Sequence, residues 1–222
     1  MRENIMRLAL LLFLTLSTSS TFASTVKLDY SVFFGYMKTM YKLEYEHVTT
    51  AFYLLDKNSD ELCLINNAQM VVDQKREAVA FKKQGRLLPF FSDQHRKDGA
   101  VIEVDLSAGQ SASQCDLQVT LMAKESELNN LSFSRLALIS EQLEGVLKKN
   151  AGMIGKYFLP DFSGVRLQLV EPLTATQTSL LDKQITTAED GDLLLTNNYI
   201  NSVDAKLLIA WNIKRITPWL TK

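Results

Sequence analysis

The apolar and polar positions of this chain fall into segments of two different periods. Phe33, Tyr36 or Met37, and Met40 recur at helical spacing behind Asp29 or Ser31, either of which can cap a helix start. This spacing predicts an amphipathic helix over about residues 31–41. From Leu43 the period drops to two. Leu43, Tyr45, His47, Thr49, Ala51, Tyr53 and Leu55 share one side of an expected strand, and turn-forming residues 56–60 end it. Strand character resumes over 61–72. Residues 79–81 and 85–91 read as a further pair joined at 82–85. Ala100, Ile102, Val104 and Leu106 then share one face, and Leu117, Val119, Leu121 and Ala123 repeat the pattern.

The pattern next returns to the helical period. Leu128, Leu131, Leu136, Ile139, Leu143 and Val146 recur at three to five residues before Gly152, which predicts a helix over about 128–150. A second short helix is expected at 153–158, ahead of Pro160. Val165, Leu167 and Leu169 alternate as a strand, and a connector follows that is helical around 178–183. The turn formers 190–192 deliver a strand over 193–196. Ala205, Leu207, Ile209, Trp211 and Ile213 alternate as a last one. The sum is an α+β fold: an antiparallel sheet or sandwich-like β core with packed helices at about 31–41 and 128–150.

The first residues carry an address. Arg2 and Arg7 flank a polar start, residues 8–16 are apolar apart from Thr15, and small residues lead to Thr21-Phe22-Ala23. This is the order of a secretory signal peptide over 1–23, cleaved after Ala23. The apolar run stops short of the roughly 20 residues a spanning helix needs, and no cysteine lies near the cleavage point to take a lipid. The expected product is a single exported domain over 24–222 with no stable membrane anchor. Its near-neutral charge, −1 for the whole chain, gives no basic face for nucleic acid.

Export changes the reading of the two cysteines. In an oxidising compartment Cys63 and Cys115 read as a disulfide, and neither has a second ligand at metal-site spacing. No cofactor and no metal are expected.

The segment Ser92-Asp93-Gln94-His95-Arg96-Lys97-Asp98-Gly99 holds one of the two histidines. Its composition is that of a solvated turn between two strands. The chemical alternative makes His95 a general base, oriented by Asp93 or Asp98. GxSxG, a phosphate loop and a defined carboxylate pair are absent. His47 shares its expected strand face with Tyr45 and Tyr53 and reads as a packed, hydrogen-bonded residue. A weaker expectation places Phe33, Phe34 and Tyr36 against a membrane surface.

Three blocks, DYSVFFGYMKTMYKLEYEHV, GRLLPFFSDQHRKDGAVIEVDL and NIKRITPWL, resemble a family of small exported proteins of Gram-negative bacteria known only as a domain of unknown function. That resemblance implies a periplasmic location and transfers no catalytic or binding residue. The leading functional expectation is a non-catalytic module that binds a small ligand or another envelope protein through a sheet edge or the 92–99 loop. The alternative is a hydrolase of an envelope component using His95 with Asp93 or Asp98.

Overall fold

The computed structural model describes residues 24–82, 85–155 and 159–221. The signal peptide expected over 1–23 lies outside them, as do residues 83 and 84 of the expected 82–85 joint and residues 156–158 of the short helix expected before Pro160.

Strand β1 (Thr25–Asp29) runs directly into helix α1 (Tyr30–Leu43), with Asp29 as the N-cap: its carboxylate accepts the Ser31 N–H at 2.8 Å. Because Tyr41 to Leu43 continue the helix, and Glu44 closes it at φ 52°, the strand expected from Leu43 begins five residues later as β2 (Val48–Asp56). β3 (Ile65–Val72) turns at Asp73, φ 51°, into β4 (Lys75–Ala78), a strand the sequence pattern does not announce. β5 (Ala80–Lys82) and β6 (Arg86–Leu88) follow.

Residues 92–99 depart from the expected solvated turn. They form a short helix, α2 (Asp93–Lys97), capped by Ser92. The charges that suggest a loop complement this helix instead. Asp93 sits in its first turn and pairs with Lys97 at 2.6 Å, one turn on, while His95, Arg96 and Lys97 occupy its last turn.

β7 (Val101–Leu106) and β8 (Cys115–Ala123) precede a 3-10 turn at Glu125–Glu127. The long helix α3 (Phe133–Gly155) starts later than the expected 128. Asn130 at φ 57° breaks any helical path from Leu128, and the Ser132 hydroxyl accepts the Arg135 N–H at 3.2 Å to cap the new start. Gly152, at φ 70°, interrupts the helical path where a stop is expected.

β9 (Asp161–Leu169), α4 (Ala175–Ser179, N-terminal to the expected 178–183), β10 (Thr186–Thr187) and β11 (Leu193–Thr196) lead to α5 (Asn197–Ser202). The strand expected over 205–213 is displaced. Residues 205–209 instead run past the start of α3, where the amides of Phe133 and Ser134 donate to the carbonyls of Leu207 and Ala205. The last strand is β12 (Ile213–Thr221), which carries Pro218 at a sheet edge, where a missing N–H is tolerated.

The described strands form three four-stranded antiparallel sheets, in the orders β1-β7-β3-β4, β5-β6-β2-β8 and β10-β11-β9-β12. With the helices packed on them, this is the α+β class expected.

Among the described residues two large hydrophobic clusters result, beside a small third of Ala51, Tyr53 and Met122. The first joins Phe33 and Phe34 of α1 to Leu54, Met70, Leu87 and Ile102. The second is organised by α3, whose Leu136, Ile139, Leu143 and Val146 form a fully buried stripe against Val165, Leu167, Leu193 and Ile216. Each such side chain stabilises the fold by about 1.5–3 kcal/mol on burial. α1 and β2 reach both clusters, since Met40, Leu43 and Val48 pack into the second. Burial of Phe33 and Phe34, at 0% and 4% exposure, corrects the expectation that they face a membrane.

Cys63 and Cys115 are joined as expected, with Cα atoms 6.3 Å apart. The bridge ties the segment before β3 to the start of β8. Beside it Gly85, at φ 73°, packs so closely that a Cβ there would lie 2.7 Å from the Cys63 carbonyl oxygen.

Candidate functional site

His95 is held from three sides. Its backbone N–H donates to the Ser92 hydroxyl at 3.2 Å, and Nδ1 lies 2.7 Å from the same oxygen. Nε2 lies 3.3 Å from Glu77 of β4. The ring also meets Phe90 and Tyr30 edge-on, with centroids 5.4 and 6.3 Å away. The Ser92 hydroxyl and the Glu77 carboxylate thus stand at the two ring nitrogens, one on each side of the imidazole.

Neither Asp93 nor Asp98 meets this ring. Asp93 faces outward to Lys97 and Arg96, which hold its carboxyl below the usual range, the Lys97 hydrogen bond most strongly. Asp98 accepts from Gln94 at 2.7 Å. The carboxylate beside His95 is therefore Glu77, from a strand that no local motif connects to the 92–99 segment.

His95 and Asp98 form one wall of a cleft of about 1160 Å³, and the β3–β4 hairpin supplies the other through Asp73, Lys75, Arg76 and Glu77. The walls carry charges of both signs. Arg76 is anchored to Glu103 at 2.6 Å, and Glu103 also takes Lys27 at 2.9 Å. Those two cations hold the Glu103 carboxyl below its ordinary range, with Lys27 the larger influence.

His47 belongs to a different part of the molecule. Its ring nitrogens both lie 3.0 Å from Nη1 of Arg135, and Glu127 stands 3.4 Å from Nδ1. Its backbone N–H donates to Gln142 at 2.9 Å. These contacts tie the start of β2 to α3, and they match the packed, hydrogen-bonded role expected. The fold does not bring His47 and His95 together, and the described residues contain no group of three or more His, Cys, Asp and Glu side chains arranged to hold a metal ion.

The residues that sequence reasoning misses here are Glu77, Tyr30, Glu127 and Arg135. Each reaches its histidine through tertiary packing across many positions, so spacing carries no sign of them.

A family model described as "Protein of unknown function (DUF2987)" matches residues 22–169. The chain belongs to the DUF2987 family. The matched span includes both histidines, the disulfide, the His95 cleft and α3, and it ends with β9. β10 to β12, which complete the third sheet around β9, lie beyond it. Comparison with curated proteins and with solved structures finds no match. Membership in DUF2987 thus carries no activity to this chain, and a functional reading rests on its own geometry.

Proposed function

We propose that this protein is an exported, non-catalytic binding module of the cell envelope, and that it holds a polar segment of another envelope protein in the His95 cleft. The observation that carries this reading is the cleft itself, whose mixed-charge walls lie beside the exposed edge strand β4. Charges of both signs suit a partially charged polypeptide better than an apolar molecule. The residues that resemble a secretion signal supply the address.

The hydrolase alternative draws on one specific feature, the alignment of Ser92, His95 and Glu77, in which the Ser92 hydroxyl lies 2.7 Å from Nδ1 and the Glu77 carboxylate 3.3 Å from Nε2. Two details favour the binding role. Ser92 Oγ is already committed as the cap of α2, accepting the His95 N–H. The imidazole bridges α2 to β4 and so holds the cleft wall in place.

The test is the full chain expressed in a Gram-negative host with a photo-crosslinking residue at Lys75, and a control at exposed Leu180 on α4's far end. Export with loss of residues 1–23, and crosslinks to envelope protein from position 75 but not 180, supports the proposal. Retention of 1–23 in the cytosol overturns it. So does ester hydrolysis by the pure protein that disappears in both Ser92→Ala and His95→Ala.

A further inference from the structure

The most exposed aliphatic side chains among the described residues gather at one place. Leu180, Leu208 and Leu207 are 80%, 62% and 56% exposed, and all three line a single cavity of about 380 Å³. Single exposed leucines are ordinary on a protein surface, but three around one cavity mark an interaction site. Leu207 and Leu208 do not hang on a loose loop. The amides of Phe133 and Ile209 donate to the carbonyls of Leu207 and Leu131, which fixes this strap to the start of α3.

Polar groups on the lining are few. Asp182, in the connector after α4, is its one charged residue, and its Oδ1 accepts the Gln184 N–H at 2.9 Å. Tyr199 of α5 lines the cavity while only 6% exposed. Burial pushes its phenol up and the Asp182 charge adds to this, so the field of the carboxylate reaches the phenol. Phe133 meets the Tyr199 ring edge-on, with centroids 6.0 Å apart, and Trp211 lines the same space from the strap.

This lining selects a ligand. A mostly apolar cavity of this size with a few convergent polar groups is the form a small-molecule site takes. Its only charge is negative, which disfavours an anion. Aromatic rings attract an organic cation through their quadrupole, Trp most strongly. A cation on an apolar body uses the carboxylate, the rings and the leucines together; an uncharged apolar molecule leaves the carboxylate unused.

We propose that this cavity binds an amphipathic organic cation, its ammonium head taken by Asp182 with the Phe133, Tyr199 and Trp211 rings, and its alkyl body lying against Leu180, Leu207 and Leu208. The cavity shares no lining residue with the His95 cleft, so the two proposals stand or fall separately.

Isothermal titration of the full mature protein with octyltrimethylammonium tests it, with octanol and octyl sulfate as the neutral and anionic counterparts. Saturable one-to-one binding of the cation is expected, with octanol weaker by about tenfold and octyl sulfate weaker still. Asp182→Asn removes the charge but keeps an oxygen for the Gln184 N–H. It weakens the cation several-fold and leaves octanol unchanged. Trp211→Leu keeps an apolar side chain, removes the ring and weakens the cation more than octanol. Absence of saturable cation binding, equal or tighter binding of octanol or octyl sulfate, or wild-type cation affinity in Asp182→Asn overturns the proposal. Asp182 is exposed, so Asp182→Asn decides the matter even where Trp211→Leu fails to fold.

Discussion

The phenolic oxygen of Tyr30 accepts the backbone N–H of Ser92 at 2.8 Å, and its own hydrogen goes to the Phe90 carbonyl, also at 2.8 Å. One fully buried side chain at the start of α1 thus satisfies two backbone groups in the turn that leads into α2. The same ring packs edge-on against His95, so the cleft wall is referenced to the first helix.

Tyr30→Phe leaves both backbone groups without that partner and costs about 1–3 kcal/mol, read from urea unfolding. The effect has a pH dependence. Burial raises the Tyr30 pKa, and the Ser92 N–H opposes this more weakly. A raised folded-state pKa contributes stability that is complete below the unfolded tyrosine value and lost as pH rises through the folded one. The wild-type advantage over Tyr30→Phe is therefore expected to shrink on the alkaline side; a constant gap between the two unfolding midpoints would contradict this.

Glu125 has the opposite sign. The Lys82 hydrogen bond depresses its pKa most, and the Arg86 charge adds to this, while burial works against both. A depressed carboxylate contributes stability above its unfolded pKa and loses it as pH falls through the folded one. Wild type is expected to melt above Glu125→Gln at neutral pH, the difference closing in acid. It stays small because half of the side chain is exposed and screened.

The disulfide closes a loop between residues 52 positions apart, which in the chain-entropy model stabilises the fold by about 4 kcal/mol. Cys63→Ala with Cys115→Ala is expected to lower the free energy of unfolding by roughly that amount. On the unreduced, denatured wild type, a thiol assay finds no reactive cysteine.

Two glycines separate backbone need from tolerance. In β9 a Cβ on Gly164 would lie 2.0 Å from the Leu195 carbonyl oxygen, inside the β9–β11 pairing, so Gly164→Ala destabilises by on the order of 3 kcal/mol. Around Gly35 in α1 a Cβ meets nothing within 4 Å. Gly35→Ala is expected to stabilise by about 0.5–1 kcal/mol. Thermal unfolding of the two variants should move in opposite directions.

Along α3 the buried stripe and its back are equally separable. Leu136→Ala and Ile139→Ala each cost about 2–5 kcal/mol, whereas Leu138, 44% exposed, tolerates alanine within about 0.5 kcal/mol. Chemical denaturation midpoints check this, and a comparable loss at Leu138 would show that its face is covered in solution.

Much of the fold was legible before any coordinates. The α1 and α3 stripes, the 100–106 and 117–123 faces and the turn at 190–192 all follow from local period and turn chemistry, which act within a few residues. Arg166 of β9 then locks that turn by pairing with both Asp190 and Asp192. The misreadings have one cause. At 43–47, 92–99 and 205–213 the local pattern suits two conformations, and a neighbour elsewhere in the chain decides: the second core claims Leu43, the Ser92 cap and Asp93–Lys97 pair make a helix, and the start of α3 holds 205–209.

By itself the sequence determined the α+β class, the two main helices and the Cys63–Cys115 bridge, because periodicity, capping and a paired cysteine count are local or countable properties. Only tertiary structure decided that Glu77 rather than Asp93 or Asp98 meets His95, and that Glu127 and Arg135 meet His47. Those pairings join residues from separate segments, and their proximity is set by sheet order and helix packing, which no short-range spacing encodes.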